Sequence, residues 1–183
     1  MAIPLVLSQL AGIAGFLLSL ANRRDARQLR EDAKNAPRRA DQRRHREALR
    51  EVVHAAKKEC DGAEACLRTG SDLMQDIPND ISIASSELEK LMLVLKDPDS
   101  GSTHHLKALI EAVESDWRYL NRIKKDIDLT NEFKRSIGDQ PMPNDRLIRR
   151  RTAAEMELRD SINRFSEEAV KVIALTIALD ELT

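Results

Sequence analysis

Apolar residues recur at helical spacing along most of this chain. Leu49, Val53, Ala56, Cys60, Ala63, Leu67 and Met74 follow one another at steps of four, three or seven, which keeps them on one helix face. They predict a long amphipathic helix that begins at Pro37 and stops before Pro78. An earlier helix should end near Pro37, because proline lacks a backbone N–H and disfavours helical dihedrals in the residue before it. Ile81, Ala84, Leu88, Leu91 and Leu95 predict a third helix, capped at Asn79 or Asp80 and closed by DPDSGS. Leu106, Ile110, Val113, Trp117, Leu120, Ile123, Ile127 and Ile137 predict a fourth, and residues 138–143 are the clearest break. From Asn144 a last helix carries Ala154, Leu158, Ile162, Phe165, Ala169, Val172, Thr176 and Leu179 on its buried row. Its closing run, AVKVIALTIAL, is apolar nearly all round, so it is expected to be the central core helix and the natural partner of residues 3–20. The expected fold class is all-α: an elongated bundle of four to five helices with an apolar, Gly/Ala-rich N-terminal helix. The expected organisation is residues 1–21 as that helix and 22–183 as the bundle, with a basic region at 22–50.

The opening stretch changes the functional picture. Residues 3–21 are nineteen positions without a charge, followed by Arg23 and Arg24. As a helix they span roughly 28 Å, close to the ~30 Å hydrocarbon thickness of a bilayer. A cleaved secretory signal carries its positive region before the apolar core, and here the arginines follow it. If the segment inserts, those arginines place the bulk of the chain in the cytoplasm, so the expected location is membrane-associated and otherwise cytoplasmic. Ile3, Leu5, Val6, Leu7, Leu10, Ile13, Phe16, Leu17 and Leu20 are the membrane-inserting candidates. Ser8, Gly12, Gly15 and Ser19 line one narrow stripe, and small side chains let helix backbones approach closely in lipid, so the stripe points to self-association. Each of the two glycines costs an isolated helix about 1 kcal/mol relative to alanine, a cost that a packing role would explain.

Charge sharpens this reading. Residues 22–50 hold eleven Arg or Lys against five Asp or Glu, a surplus of six in a chain whose net charge is -1. Arg23, Arg24, Arg27 and Arg30 are the candidate contacts to lipid headgroups, with RLIRRR at 146–151 a possible extension of the patch. Clustered arginine also suits nucleic acid, but this stretch has no aromatic residues to stack on bases and is interrupted by acidic ones, which disfavours that partner. His104 and His105 are adjacent and point about 100° apart on a helix, with no further ligand at metal-binding spacing. His45 and His54 fare no better. Cys60 and Cys66 fall on different faces of one helix and read as small reduced hydrophobes. With no phosphate-cradling glycine loop and no nucleophile–base spacing, neither an enzymatic role nor a cofactor is expected.

LAGIAGFLLSLA, residues 10–21, leading into charged amphipathic helices, resembles the membrane-targeting HeLo-like cell-death domains. In outline it is also similar to the four-helix executioner domains of necroptotic pseudokinases and plant helper immune receptors. The resemblance covers the architecture of the whole chain and rests at residue level on that stretch. It implies an N-terminal helix held in or on the bundle until oligomerisation releases it into a membrane. No nucleotide-sensing or kinase-like module is read in these 183 residues, a departure from those families, so the expectation is an activating protein separate from this chain. The expected function is a membrane-permeabilising, immune- or toxin-like effector. Its expected partners are anionic lipids and further copies of the chain. The rival expectations are a membrane-anchored adaptor or scaffold and a soluble subunit of a larger helical assembly.

Overall fold

The computed structural model describes residues 3–73, 76–95, 99–138 and 144–182, with side chains described from Asp25 onward except at positions 32, 99 and 100. Four helices account for the described elements: α1 (Ile3–Thr69), α2 (Asn79–Met92), α3 (Asp99–Ser136) and α4 (Asp145–Glu181). No strand occurs among the described residues, and the all-α class stands. The chain divides into two compact units, Met1–Arg43 and Arg44–Thr183, and α1 contributes residues to both.

In the first unit α1 does not stop at Pro37 as its sequence suggests; the proline lies inside the helix. Proline removes the N–H that would bond the Ala33 carbonyl, and in a helix interior this costs about 3 kcal/mol. Every described side chain of residues 25–41 is exposed, so water can reach that carbonyl. The neighbouring Ala, Arg, Lys, Glu and Gln residues are good helix formers and offset part of the cost.

In the second unit α1 supplies Leu49, Val53, Ala56, Cys60 and Ala63 to a core shared with α2, α3 and α4. Polar contacts between helices fix their directions. Arg46 and Arg50 reach Asp180 at 3.2 and 2.9 Å, while near the other end of α1 the Arg159 guanidinium donates to the Leu67 carbonyl at 3.1 Å, so α1 and α4 run antiparallel. Ser85 donates to Glu111 at 2.9 Å and Glu89 lies 3.8 Å from Lys107, which sets α2 antiparallel to α3. The α3–α4 pair is tied by Ser161, whose hydroxyl donates to Asp116 at 2.6 Å. The result is an up-down-up-down arrangement of the kind short connections favour.

Helix ends depart from the sequence reading in three places. The first is α1, which ends at Thr69 and not near Pro78. Gly70 takes φ +70° and the Ser71 amide bonds the Cys66 carbonyl at 3.0 Å, a left-handed terminus that glycine adopts without a Cβ clash. Next, α2 begins after Pro78, whose carbonyl accepts from the Ile81 and Ser82 amides; no side-chain cap comes from Asn79 or Asp80. Finally, DPDSGS is not all loop, because α3 already starts at Asp99. At α4 the expected start is met within one residue: the helix begins at Asp145, and Asn144 before it is the N-cap, its side-chain oxygen accepting from the Arg146 and Leu147 amides at 3.2 and 3.4 Å.

The last helix is not buried all round. Ala169, Val172 and Thr176 face the core, but Val170 and Ile177, each about 100° further round the helix than the core residue before it, are exposed. On α3 the core row ends at Ile123, Ile127 is half-buried, and Ile137, expected in the core, is exposed. Trp117 is the largest fully buried side chain, and its indole Nε1 and the Arg159 Nε have no hydrogen-bond partner among the described residues.

Candidate functional site

The basic region does not form one surface. Arg27 and Arg30 are exposed, as are Arg38, Arg39, Arg43 and Arg44. Arg46 and Arg50 instead turn inward to share the Asp180 carboxylate, with the Arg46 side chain only 8% exposed. A guanidinium that deep is kept for the bundle, because withdrawing it from Asp180 would leave a buried charge uncompensated. The helix of residues 3–24 is described but its side chains are not. The membrane-inserting set Ile3, Leu5, Val6, Leu7, Leu10, Ile13, Phe16, Leu17 and Leu20, the small stripe Ser8, Gly12, Gly15 and Ser19, and Arg23 and Arg24 therefore lie outside the described side chains. Among the described residues no helix is long and apolar enough to cross a membrane, a statement that does not reach those positions.

A shallow groove runs between the second half of α1 and the end of α4. His54, Lys57, Lys58 and Asp61 form one wall and Val170, Ile173, Ala174 and Ile177 the other. Lys57 and Asp61 pair with each other at 2.5 Å across one helical turn, so their charges are largely spent locally. The groove therefore offers apolar surface with a mildly basic edge and no arrangement of nucleophile and base.

His104 and His105 are exposed on α3, and no group of three or more metal-binding side chains occurs among the described residues. Lys107 is held above its ordinary range by its hydrogen bond to Glu111, and Glu111 below its own range by hydrogen bonds from Lys107 and Ser85; the trio clasps α2 to α3 at the surface. Burial pushes the Cys60 thiol up to about 12, with Asp61 adding to the effect, so this sulfur is protonated and unreactive at neutral pH. Cys66 is free and half-buried.

The sequence reading missed a different feature: Leu129, Phe133 and Ile137 form an exposed apolar stripe on the last turns of α3. Its signal in the sequence was a change of step. The alternation of three and four that follows a core gives way to repeated steps of four, while Thr130 and Lys134 occupy the positions that would continue the buried row.

No protein-family model, curated protein or solved structure matches the chain.

Proposed function

We propose that this protein is a membrane-active helical-bundle effector that self-associates, inserts the helix of residues 3–20 and permeabilises or disrupts a membrane. The observation that carries this reading is where the core lies. Every described core residue comes from Leu49 onward, within Arg44–Thr183, while the described side chains of residues 25–41 are exposed. A bundle with its own core leaves an apolar, uncharged segment of bilayer length available for another purpose. The small stripe at Ser8, Gly12, Gly15 and Ser19 gives that segment a way to pack against copies of itself. Arg27 and Arg30, exposed on the turns that follow, suit anionic headgroups, each contributing about 1 kcal/mol where it reaches the surface.

The test is dye release from liposomes containing phosphatidylserine, with vesicle flotation in parallel. Full-length protein is expected to float with the vesicles and release dye. Replacing Arg23, Arg24, Arg27 and Arg30 with Glu is expected to reduce both sharply on anionic vesicles and far less on neutral ones. Flotation without release would favour the anchored adaptor, and failure of both would favour the soluble subunit.

A further inference from the structure

The far end of the α3–α4 pair carries an apolar stripe that the bundle does not cover. Beyond Ile123 on α3 and before Ala154 on α4, no described side chain is buried. The reason lies in the lengths of the neighbours. α2 is only 14 residues long and lies opposite Lys107 and Glu111, in the first half of α3. α1 has ended by Thr69, with Leu67 at Arg159 and Asp72 at Lys124. Among the described residues of Arg44–Thr183, the last turns of α3 and the first turns of α4 therefore have mainly each other as neighbours.

On this two-helix arm Leu129, Phe133 and Ile137 are 53%, 66% and 57% exposed and follow one another at steps of four, so they share a side. Tyr119, Asp126 and Phe133 stand seven apart and share that side too. Arg150 donates to the Tyr119 hydroxyl at 3.4 Å and interacts electrostatically with Asp126, which sets the first turns of α4 along the same side. The described residues of the arm, 122–138 and 144–151, hold nine Lys or Arg against four Asp or Glu, a surplus of five in a chain whose net charge is -1. Arg122, Lys125, Arg135, Arg146, Arg149 and Arg150 are all exposed.

We propose that this arm is a second docking surface, for the face of an anionic lipid bilayer, with Phe133 and its two neighbours entering the headgroup boundary and the surrounding arginines meeting lipid phosphates. An apolar side set among basic residues is the composition that binds at a membrane interface. From Leu129 to Ile137 the stripe extends roughly 12 Å and holds three large apolar side chains, few beside the roughly 20–30 residues that each partner of a stable protein complex contributes, yet sufficient for an interfacial contact backed by charge. The proposal rests on the membrane reading above for its occupant, but it needs no insertion of residues 3–20.

The full chain supplies its own test. Trp117 is the one tryptophan and is 2% exposed, so wild-type emission is a fixed background against which Phe133→Trp reports its own surroundings. On vesicles of phosphatidylserine and phosphatidylcholine at low salt, the emission of the new indole is expected to shift to the blue and to be quenched by brominated lipid. Adding Arg146→Glu and Arg149→Glu to the same variant is expected to lower partitioning roughly tenfold or more. A Phe133→Trp protein that floats with the vesicles while its emission is unshifted and unquenched overturns the arm as the docking surface and leaves the membrane reading standing. A full chain that does not float at low salt also overturns the arm, and dye release then decides the other reading separately.

Discussion

The two ends of α3 contrast within a single helix. From Thr103 to Ile123 it buries Thr103, Leu106, Ile110, Val113, Trp117, Leu120 and Ile123, with steps mostly alternating between three and four. From Lys124 onward it buries nothing among the described residues, although Leu129, Phe133 and Ile137 are as apolar as the side chains before them. Hydrophobic content is therefore not what separates the ends. An alternating step averages 3.5 residues and stays with a neighbouring helix turn after turn, whereas a repeated step of four drifts about 40° each time and leaves the seam. The buried row needs α1, α2 and α4 around it, and those partners are in place for only part of its length.

Removing Trp117 tests the buried end most severely. Trp117→Ala is expected to destabilise the bundle by about 3–5 kcal/mol, read as a fall in the urea midpoint at unchanged slope. A loss below about 1 kcal/mol would mean that the two ends of α3 are packed alike.

The same contrast can be carried to α1, where Cys60 is buried and Cys66 half-buried. The folded-state value for Cys60, about 12, lies above its reference value of 9.0, so raising the pH ionises the unfolded thiol first. Stability from this site is fully present below pH 9 and falls between pH 9 and about 12, by up to about 1.4 kcal/mol per pH unit. Urea midpoints of wild type and Cys60→Ala across that range should differ in slope. At neutral pH a thiol reagent should label Cys66 in the folded protein and Cys60 only on unfolding.

The smallest effect is expected at the exposed end. Phe133→Ala should shift stability by no more than ~0.5 kcal/mol, because no buried contact is lost. A loss comparable to that at Trp117 in the same urea titration would show the stripe to be covered.

Much of the fold was legible in the sequence because the core rows on α1, α2 and α4 follow one period without interruption. Leu49 to Ala63, Ile81 to Leu95 and Ala154 to Thr176 could be assigned from spacing alone, and the last helix was expected from Asn144, one residue before its start at Asp145. Ile137 misled because it is apolar. It stands ten residues after Ile127, which leaves it about 80° from the buried row. Pro37 misled because its usual effect is a helix stop, and nothing local reveals that flanking residues and solvent can tolerate the missing bond. Gly70 could have been recognised as a terminus, but Met74 continued the apolar spacing past it. Of the headgroup candidates, Arg27 and Arg30 are exposed, while Arg23 and Arg24 lie outside the described side chains. The inward turn of Arg46 and Arg50 depends on Asp180, and no local pattern relates residues so far apart.

That distance governs the order in which the bundle assembles. Ser85 and Glu111 are 26 positions apart and Asp116 and Ser161 are 45, but Arg46 and Asp180 are separated by 134. Closing the longest of these loops costs about 1 kcal/mol more in chain entropy than closing the α3–α4 hairpin, since each doubling adds ~0.6 kcal/mol. Local contacts form first when closure is the obstacle. The three later helices can thus collapse into a template, and the second half of α1 docks on it afterwards, sealed by the double grip of Arg46 and Arg50 on a single carboxylate. That order makes the α1 seam the last to close, along the helix that carries the chain's apolar beginning.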